Sequence, residues 1–475
     1  MTSRTTPNTL QSLRQSVPDV YTSSEPEVLE SHGRDWTRFH VPAPLAIAFP
    51  ESIQQVQRLV SYAATVGLGL VPSGGRTGLS GGALAAHGEL VVSFDRMRRI
   101  LHFDAIDRSV TFQAGVVTAT LQSFARERGF YYPVSFAAEG SSQLGGNIAT
   151  NAGGIRVLRY GMTRDWVSGL KVVTGRGELL DCNRGLIKNA SGYDLRHLFI
   201  GSEGTLGMIV EATVRLTDQP PPGKVMLLGI SNMDALMKVF EALRASLELS
   251  AFEFLADQAM RHVCRGHGLS SPIGTVCPWY VVTEFDCPGE AEESLALQCF
   301  SACMEKGWLL DGVISQSEQQ NQQLWRFREG ISEAITHLRP YKNDLSVRVS
   351  SVPGFLHAMD ALMNRICPDY EVIWYGHIGD GNLHMNIIGP QAGSASDFES
   401  RCQEISEQTY ALTQSFGGSI SAEHGIGVLK QPWLGRVRSP AEITMMQGIK
   451  QVFDPAGIMN PGKLLPLVLR HRNLD

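Results

Sequence analysis

Apolar positions along the chain fall into two regimes, divided at a proline-rich break. In the first, short apolar runs alternate with glycine-rich gaps. Residues 45–49 form an apolar run too short for a helix and read as a buried strand. Ser52-Ile53-Gln54-Gln55 has the form of a capping box. Behind it Ile53, Val56, Leu59, Val60 and Ala63 recur at helical spacing and predict one apolar face. Gly67 and Gly69 punctuate the end of this helix, and Leu70-Val71 starts another strand. The result is a β-α-β unit feeding a glycine-rich loop. Further strands are predicted at residues 91–94, 109–113, 167–174 and 208–216, with a helix over 118–128 that stops at Gly129.

Gln219-Pro220-Pro221-Pro222-Gly223 has the composition of a linker. Beyond it, strands at 225–230, 279–284 and 372–375 alternate with helical patterns at 233–247 and 291–306. That alternation predicts an α+β domain with an antiparallel sheet. A last helix is expected near 441–452, followed by Asp454-Pro455-Ala456-Gly457 and Asn460-Pro461-Gly462-Lys463. The implied division is an N-terminal segment (1–40), a first domain (41–219), a second domain (220–438) and a C-terminal segment (439–475) that packs back on the first.

Composition narrows the function. At 475 residues the chain exceeds one ordinary core. A net charge of -6, without long Lys/Arg runs, argues against nucleic acid as a partner. The polar N-terminus has no apolar signal region, and no apolar run reaches the roughly 18 residues of a membrane span. A cytoplasmic location is expected, with the eight cysteines, none in a C-x-x-C pair, as free thiols in a reducing compartment. The 48 glycines are the unusual feature, because they cluster between Gly67 and Gly207.

Three loops hold that cluster. Pro72-Ser73-Gly74-Gly75-Arg76-Thr77-Gly78-Leu79-Ser80-Gly81-Gly82 follows a strand and can expose successive backbone N–H groups to an anion. Gly140 to Gly154 and Gly192 to Gly207 repeat the theme with small and amide residues. Neither a Walker A sequence nor a Rossmann G-x-G-x-x-G is present, so a dinucleotide would bind in another way. A mobile surface loop is the plain alternative for any one of them.

A second constellation lies in residues 371–387, which read as strand, tight turn and strand around Gly379-Asp380-Gly381-Asn382. The turn brings His377 and His384 toward each other, and strand alternation puts His384 and Asn386 on one face. Glu423, in Ser421-Ala422-Glu423-His424-Gly425, is a further acidic candidate. Two His and one Glu suit an open catalytic zinc site, although paired histidines are more often structural. Residues 324–333 read as helix and 341–347 as strand. Arg328 would make a bidentate carboxylate clamp and Lys342 a second positive charge.

These motifs carry a resemblance to the FAD-binding vanillyl-alcohol-oxidase superfamily, specifically its glycolate oxidase and D-lactate dehydrogenase branch. It covers about residues 40–465. The fold it implies is an FAD-binding domain plus a substrate (cap) domain with an antiparallel sheet. By resemblance, Gly74, Gly75, Thr77 and Gly78 hold the diphosphate. Gly140, Ser141, Gly146, Asn147 and Thr150 line the flavin and ribityl region, Glu203 lies on the adenosine side, and Asn460 returns to the isoalloxazine ring. Ser73, Arg76, Ser80, Gly145, Gly153, Gly154, Gly204 and Ile209 complete the cofactor site. Arg76 stands where relatives with covalent flavin carry His, so the FAD is expected to be non-covalent.

The same resemblance implies that His377, His384 and Glu423 bind zinc or another divalent transition metal. His424 becomes the acid/base and Asn386 a substrate contact. Arg328 and Lys342 hold a distal carboxylate, with Ser332 replacing a threonine. The implied reaction is oxidation of D-2-hydroxyglutarate, with D-malate as a second substrate, by hydride transfer to flavin N5. D-lactate or glycolate is the alternative substrate on the same fold. A monocarboxylate would leave the basic pair unpaired, which is unfavourable. The resemblance also implies an electron acceptor such as an electron-transfer flavoprotein or a quinone, and leaves a homodimer open. The rivals from other classes are a zinc hydrolase of phosphorylated substrates, which would not be yellow, and a non-catalytic flavin-binding subunit, which would not need the complete basic and metal-ligating set.

Overall fold

The computed structural model describes residues 7–37, 40–390 and 395–466. The first residues of the N-terminal segment and the last of the C-terminal segment lie outside this range. The chain divides into two units. The first comprises Met1–Ala152, Met162–Gln219 and Glu423–Asp475, and the second Gly153–Gly161 and Pro220–Ala422.

In the first unit, Ala46–Phe49, Leu90–Ser93 and Leu70–Ser73 form parallel pairs, and Tyr21–Ser23 joins antiparallel at one edge. Residues 46–49 and 90–93 are buried throughout, as continuous apolar runs in a covered parallel sheet should be. The helix Ile53–Val66 starts at Ser52, whose side chain accepts from Gln55 N–H, and ends at Gly67 in the left-handed region. The reciprocal half of the predicted capping box is shifted by one residue, because Gln55 Oε1 accepts from Glu51 N–H. A second sheet is fully antiparallel, in the order Ile100–Asp104, Ser109–Gln113, Gly207–Arg215, Val167–Thr174, Leu179–Cys182. One apolar core unites the helix face with residues of both sheets and with Ile458 and Met459.

The chain re-enters this unit at Glu423 rather than at residue 439. The reason is backbone hydrogen bonding: Val428 N–H and Leu429 N–H both donate to Ser80 O, and Leu464 N–H donates to Gly427 O. Further on, Leu70 N–H donates to Ile458 O and Asn460 N–H to Leu70 O, so residues 458–460 run beside the strand Leu70–Ser73.

The second unit is built on a seven-stranded antiparallel sheet. Its order is Leu309–Ile314, Gly223–Ile230, Trp279–Asp286, Leu249–Ala256, Glu371–His377, Asn382–Ile388, Tyr341–Ser346. One sheet face packs on the helices Asp257–His267 and Glu318–Glu329 through Leu255, Val282, Ile373, Met260, Trp325 and Phe327. The helix predicted across 324–333 is broken at Gly330 into Glu318–Glu329 and Ile331–Ala334. His267 Nε2 lies 3.0 Å from Gly330 O, and a Cβ on residue 330 would meet that same ring nitrogen at 2.9 Å.

Residues 153–161 belong to this second unit, inside what the sequence assigns to the first domain. Arg156 pairs with Glu284 at 3.1 Å and Arg159 with Asp286 at 2.5 Å, and these ion pairs tie the segment to the sheet. Among the described residues, no helix is long and apolar enough to cross a membrane, and all eight cysteines are free.

Candidate functional site

The first unit contains an open cleft. The expected residues that line it are Ser73, Gly74, Gly75, Arg76, Thr77, Gly78 and Ser80, then Gly145, Gly146, Asn147 and Thr150, and finally Glu203, Gly204 and Ile209. Asp35, Phe94, Ala114 and Gln143 also line it and were not expected.

Packing explains which glycines face the cleft. A Cβ on Gly75 would sit 2.2 Å from Ser141 O, so these two loops stack backbone on backbone. Ser141 is therefore behind the first loop and does not line the cleft. A Cβ on Gly145 would meet Ala114 Cβ at 2.6 Å, whereas a Cβ on Gly146 would meet nothing within 4 Å. Gly140 is exposed and outside the cleft. Gly153 and Gly154 fall in the second unit. Asn460 is buried behind the cleft, with its amide N–H groups spent on Gly82 O and Glu203 O.

Polar groups under the first loop are pre-set. Arg76 donates to Gly74 O and to Asp95, which also meets His32, Arg98 and the Gln143 amide. Burial pushes the Asp95 carboxyl up, but His32, Arg76, Arg98 and Gln143 together hold it far below the usual carboxylate range. Ser73 Oγ is buried at the cleft without a protein partner. A buried orphan hydroxyl beside glycine backbone fits a diphosphate guest.

In the second unit, strand register builds a polar patch at one end of a sheet face. Directly opposite residues share a face, and residues two apart on a strand do too. His377 faces Asn382, Tyr375 and Asp344 flank His384, and Ile373 and Lys342 flank Asn386. His377, His384, Asn386 and Lys342 thus stand together, as the predicted hairpin requires. The histidine rings are 5.3 Å apart, centroid to centroid.

Two carboxylates missed by the sequence analysis support these rings. His377 Nδ1 lies 2.9 Å from Glu253 Oε1, and His384 Nδ1 lies 3.6 Å from Asp344 Oδ1. The Glu253 carboxylate on His377 Nδ1 sets that ring's tautomer and aims its Nε2, the usual support of a metal-binding histidine, whereas Asp344 stands beside His384 at longer than hydrogen-bond distance. This donor chemistry fits a divalent transition metal. Glu253 also meets Arg328 at 2.8 Å, an ion pair whose angle falls short of a hydrogen bond. Arg328 is buried and lies 4.9 Å over the Tyr375 ring. Its guanidinium is therefore already paired on one edge, while its Nε has no protein partner.

At the other expected substrate contacts, Lys342 Nζ donates to Ser332 Oγ at 2.9 Å. Burial holds the Lys342 amine below the ordinary lysine value. Asn386 is 1% exposed, yet neither its amide oxygen nor its nitrogen has a protein partner. Such a group is costly unless a ligand satisfies it.

Beside Tyr341–Ser346 the sheet edge is extended by residues 419–421, with bridges Ser346↔Ser419 and Asp344↔Ser421, and Ala422 N–H donates to Asp344 O. The next residues are Glu423 and His424, which open the final stretch of the first unit. There Glu203 receives Ile426 N–H and Gly427 N–H on its two carboxylate oxygens, both at 2.7 Å.

Comparison with known proteins agrees with this anatomy. Residues 44–183 match the FAD binding domain family, and residues 219–464 match the C-terminal domain of FAD linked oxidases. The chain is 56% identical to D-2-hydroxyglutarate dehydrogenase of Xanthomonas citri pv. viticola, covering 95% of this chain and 96% of that one. It is 52% identical to the enzyme of the same description from Stutzerimonas stutzeri, covering 97% and 99%. Among solved structures it resembles 4-ethylphenol oxidase from Gulosibacter chungangensis, with a TM-score of 0.78 at 15% identity, covering 99% and 100%.

Proposed function

We propose a mechanism from one premise: this chain belongs to the FAD-linked oxidase family, as a member of its D-2-hydroxyglutarate dehydrogenase group. It is an FAD-dependent 2-hydroxy acid dehydrogenase that oxidises D-2-hydroxyglutarate to the 2-oxo acid. FAD, held without a covalent link at the cleft of Gly74, Gly78 and Gly146, supplies the acceptor for the hydride that leaves C2. A divalent metal, proposed as zinc, supplies Lewis acidity toward the 2-hydroxyl.

The chain's own residues do the rest. We assign His384 and Glu423 to the metal together with His377, whose Nδ1 is steadied by Glu253. His424 is the general base for the hydroxyl proton, a role worth about 10²–10⁴-fold in rate. Asn386 binds the C1 carboxylate end through its unpartnered amide. Lys342, braced by Ser332, and the unpartnered Nε of Arg328 receive the distal carboxylate. The acceptor that would reoxidise the cofactor is of the electron-transfer flavoprotein or quinone class. A cytoplasmic location suits eight unpaired thiols.

The observation that carries the substrate assignment is the half-buried Lys342 opposite the orphaned Asn386 amide on one sheet face. The test is the visible spectrum under anaerobic conditions. D-2-hydroxyglutarate is expected to bleach the flavin rapidly and D-lactate to leave it oxidised; bleaching by lactate alone would overturn the dicarboxylate assignment. Lys342→Met should raise KM for D-2-hydroxyglutarate about tenfold or more, since a charged hydrogen bond is worth about 1.5–3 kcal/mol. A KM equal to the wild type would remove Lys342 from the substrate site.

Adjacent glycines separate cofactor contact from packing. Gly146→Ala points its methyl into open cleft, so the protein should keep its Tm while FAD affinity falls by about tenfold or more, roughly 1.4 kcal/mol. Gly145→Ala drives a methyl into Ala114 and should destabilise the apoprotein by about 1–3 kcal/mol. Full FAD occupancy in the Gly146 variant would place the flavin elsewhere.

A further inference from the structure

Glu203 is an unusual residue for the loop that carries it. It is buried, and its φ of +53° lies in the left-handed region that favours glycine. Every polar group it owns is committed. Its N–H donates to Ala149 O at 2.8 Å, and its own carbonyl receives the Asn460 amide at 2.7 Å. Its two carboxylate oxygens receive the consecutive N–H groups of Ile426 and Gly427. A strained residue held by four bonds is over-determined by its surroundings, a pattern found at functional sites.

The far side of this clamp is shaped to match. Gly425 has φ +83°, and a Cβ there would lie 3.1 Å from the Glu203 carboxyl carbon. Gly427 has φ +51°, and a Cβ there would lie 2.1 Å from Ser80 O. The turn after His424 therefore lies flat on a carboxylate and on the backbone of the first glycine loop. The resemblance puts Glu203 on the adenosine side of the cofactor. Glu203 does line the cleft, and its carboxylate oxygens also meet the chain two and three residues past His424.

We propose that Glu203 is a positioning residue for the hydroxy acid oxidation: by clamping the Ile426 and Gly427 amides it fixes the turn that presents His424. The proposal rests on the assignment of His424 as general base. Burial pushes the Glu203 carboxyl above its usual range, and the two backbone amides and Lys430 work against that shift, so the clamp is a pair of acceptor oxygens facing two N–H groups. Glutamine cannot copy it, because one of its two terminal atoms is a donor and would face an N–H.

The test is single-turnover flavin reduction by D-2-hydroxyglutarate in the FAD-loaded enzyme. Glu203→Gln is expected to keep its FAD content and a near-normal KM while the reduction rate falls about tenfold to a hundredfold, the scale of a small misplacement of a catalytic group. In a His424→Ala background the same change should have no further effect, because the group it positions is gone. Gly425→Ala, which pushes on the intact carboxylate from the opposite side, should lower the wild-type rate comparably. Loss of FAD from Glu203→Gln would make Glu203 a cofactor ligand and overturn the proposal. So would a rate loss that persists in the His424→Ala background, or a wild-type rate in Gly425→Ala. A fully active His424→Ala enzyme is a separate outcome, which removes the base assignment itself.

Discussion

His384→Ala should purify as a folded yellow protein that has lost its metal and nearly all of its activity. His384 sits on the central strand of the patch, between Tyr375 and Asp344, and on the same face as Asn386. Its Nδ1 lies 3.6 Å from Asp344 Oδ1, and its ring contacts His377. Lewis-acid assistance is worth several kcal/mol, and each 1.36 kcal/mol is tenfold in rate, so a loss of about 10³-fold or more in kcat is expected. The FAD cleft lies in the other unit and is lined by none of these residues. Metal analysis, the flavin spectrum and single-turnover reduction together check the prediction. A metal-free variant that still reduces its flavin at the wild-type rate would refute the metal's role.

Glu253→Gln carries the second large effect, and it acts on stability and metal together. Glu253 is 1% exposed and serves both Arg328 and His377. Arginine stays charged in the interior, so a neutral partner leaves that charge uncompensated, at a cost of about 3–5 kcal/mol. For a unit of this size that corresponds to a fall in Tm on the order of 10 °C. His377 meanwhile loses the carboxylate that orients it, which typically weakens metal binding about 10–100-fold. Replacing Arg328 and Glu253 together with apolar residues should recover much of the Tm without restoring turnover. Calorimetry with metal titration measures both parts. An unchanged Tm would mean that the ion pair is not held in the folded protein.

These two residues also mark where sequence reasoning stopped. His384 was legible because alternation and the turn at Gly379-Asp380-Gly381-Asn382 determine which side chains of a hairpin share a face. The strands Ser109–Gln113 and Val167–Thr174 were legible to the residue, since local apolar runs and nearby turns specify them. Arg328, Lys342 and His424 were candidates by side-chain type, but their roles came from resemblance. Glu253 gave no signal: it is the one charged position in the strand Leu249–Ala256, and its partners are 75 and 124 residues away. Asp344 was hidden in the same way inside Tyr341–Ser346.

The limits at the boundaries have the same origin. The helix over 324–333 looked continuous, because one glycine is tolerated in a helical pattern; the His267 contact at Gly330 accompanies a break that the pattern did not announce. Residues 153–161 read as part of the glycine-rich half, yet Arg156 and Arg159 bind carboxylates on strand residues 284 and 286. Residues 423–438 read as part of the second domain until the amides of Val428 and Leu429 found Ser80 O. By itself, then, the sequence determined elements, faces and the kinds of chemistry at hand, because propensity, periodicity and turn formation act between near neighbours. Tertiary structure decided which glycines open onto the cleft, which carboxylate lies beside each histidine, and what Glu203 holds. Those outcomes depend on pairing and burial between segments far apart in the chain, where the cost of an unmet charge or amide is set only once the fold has closed around it.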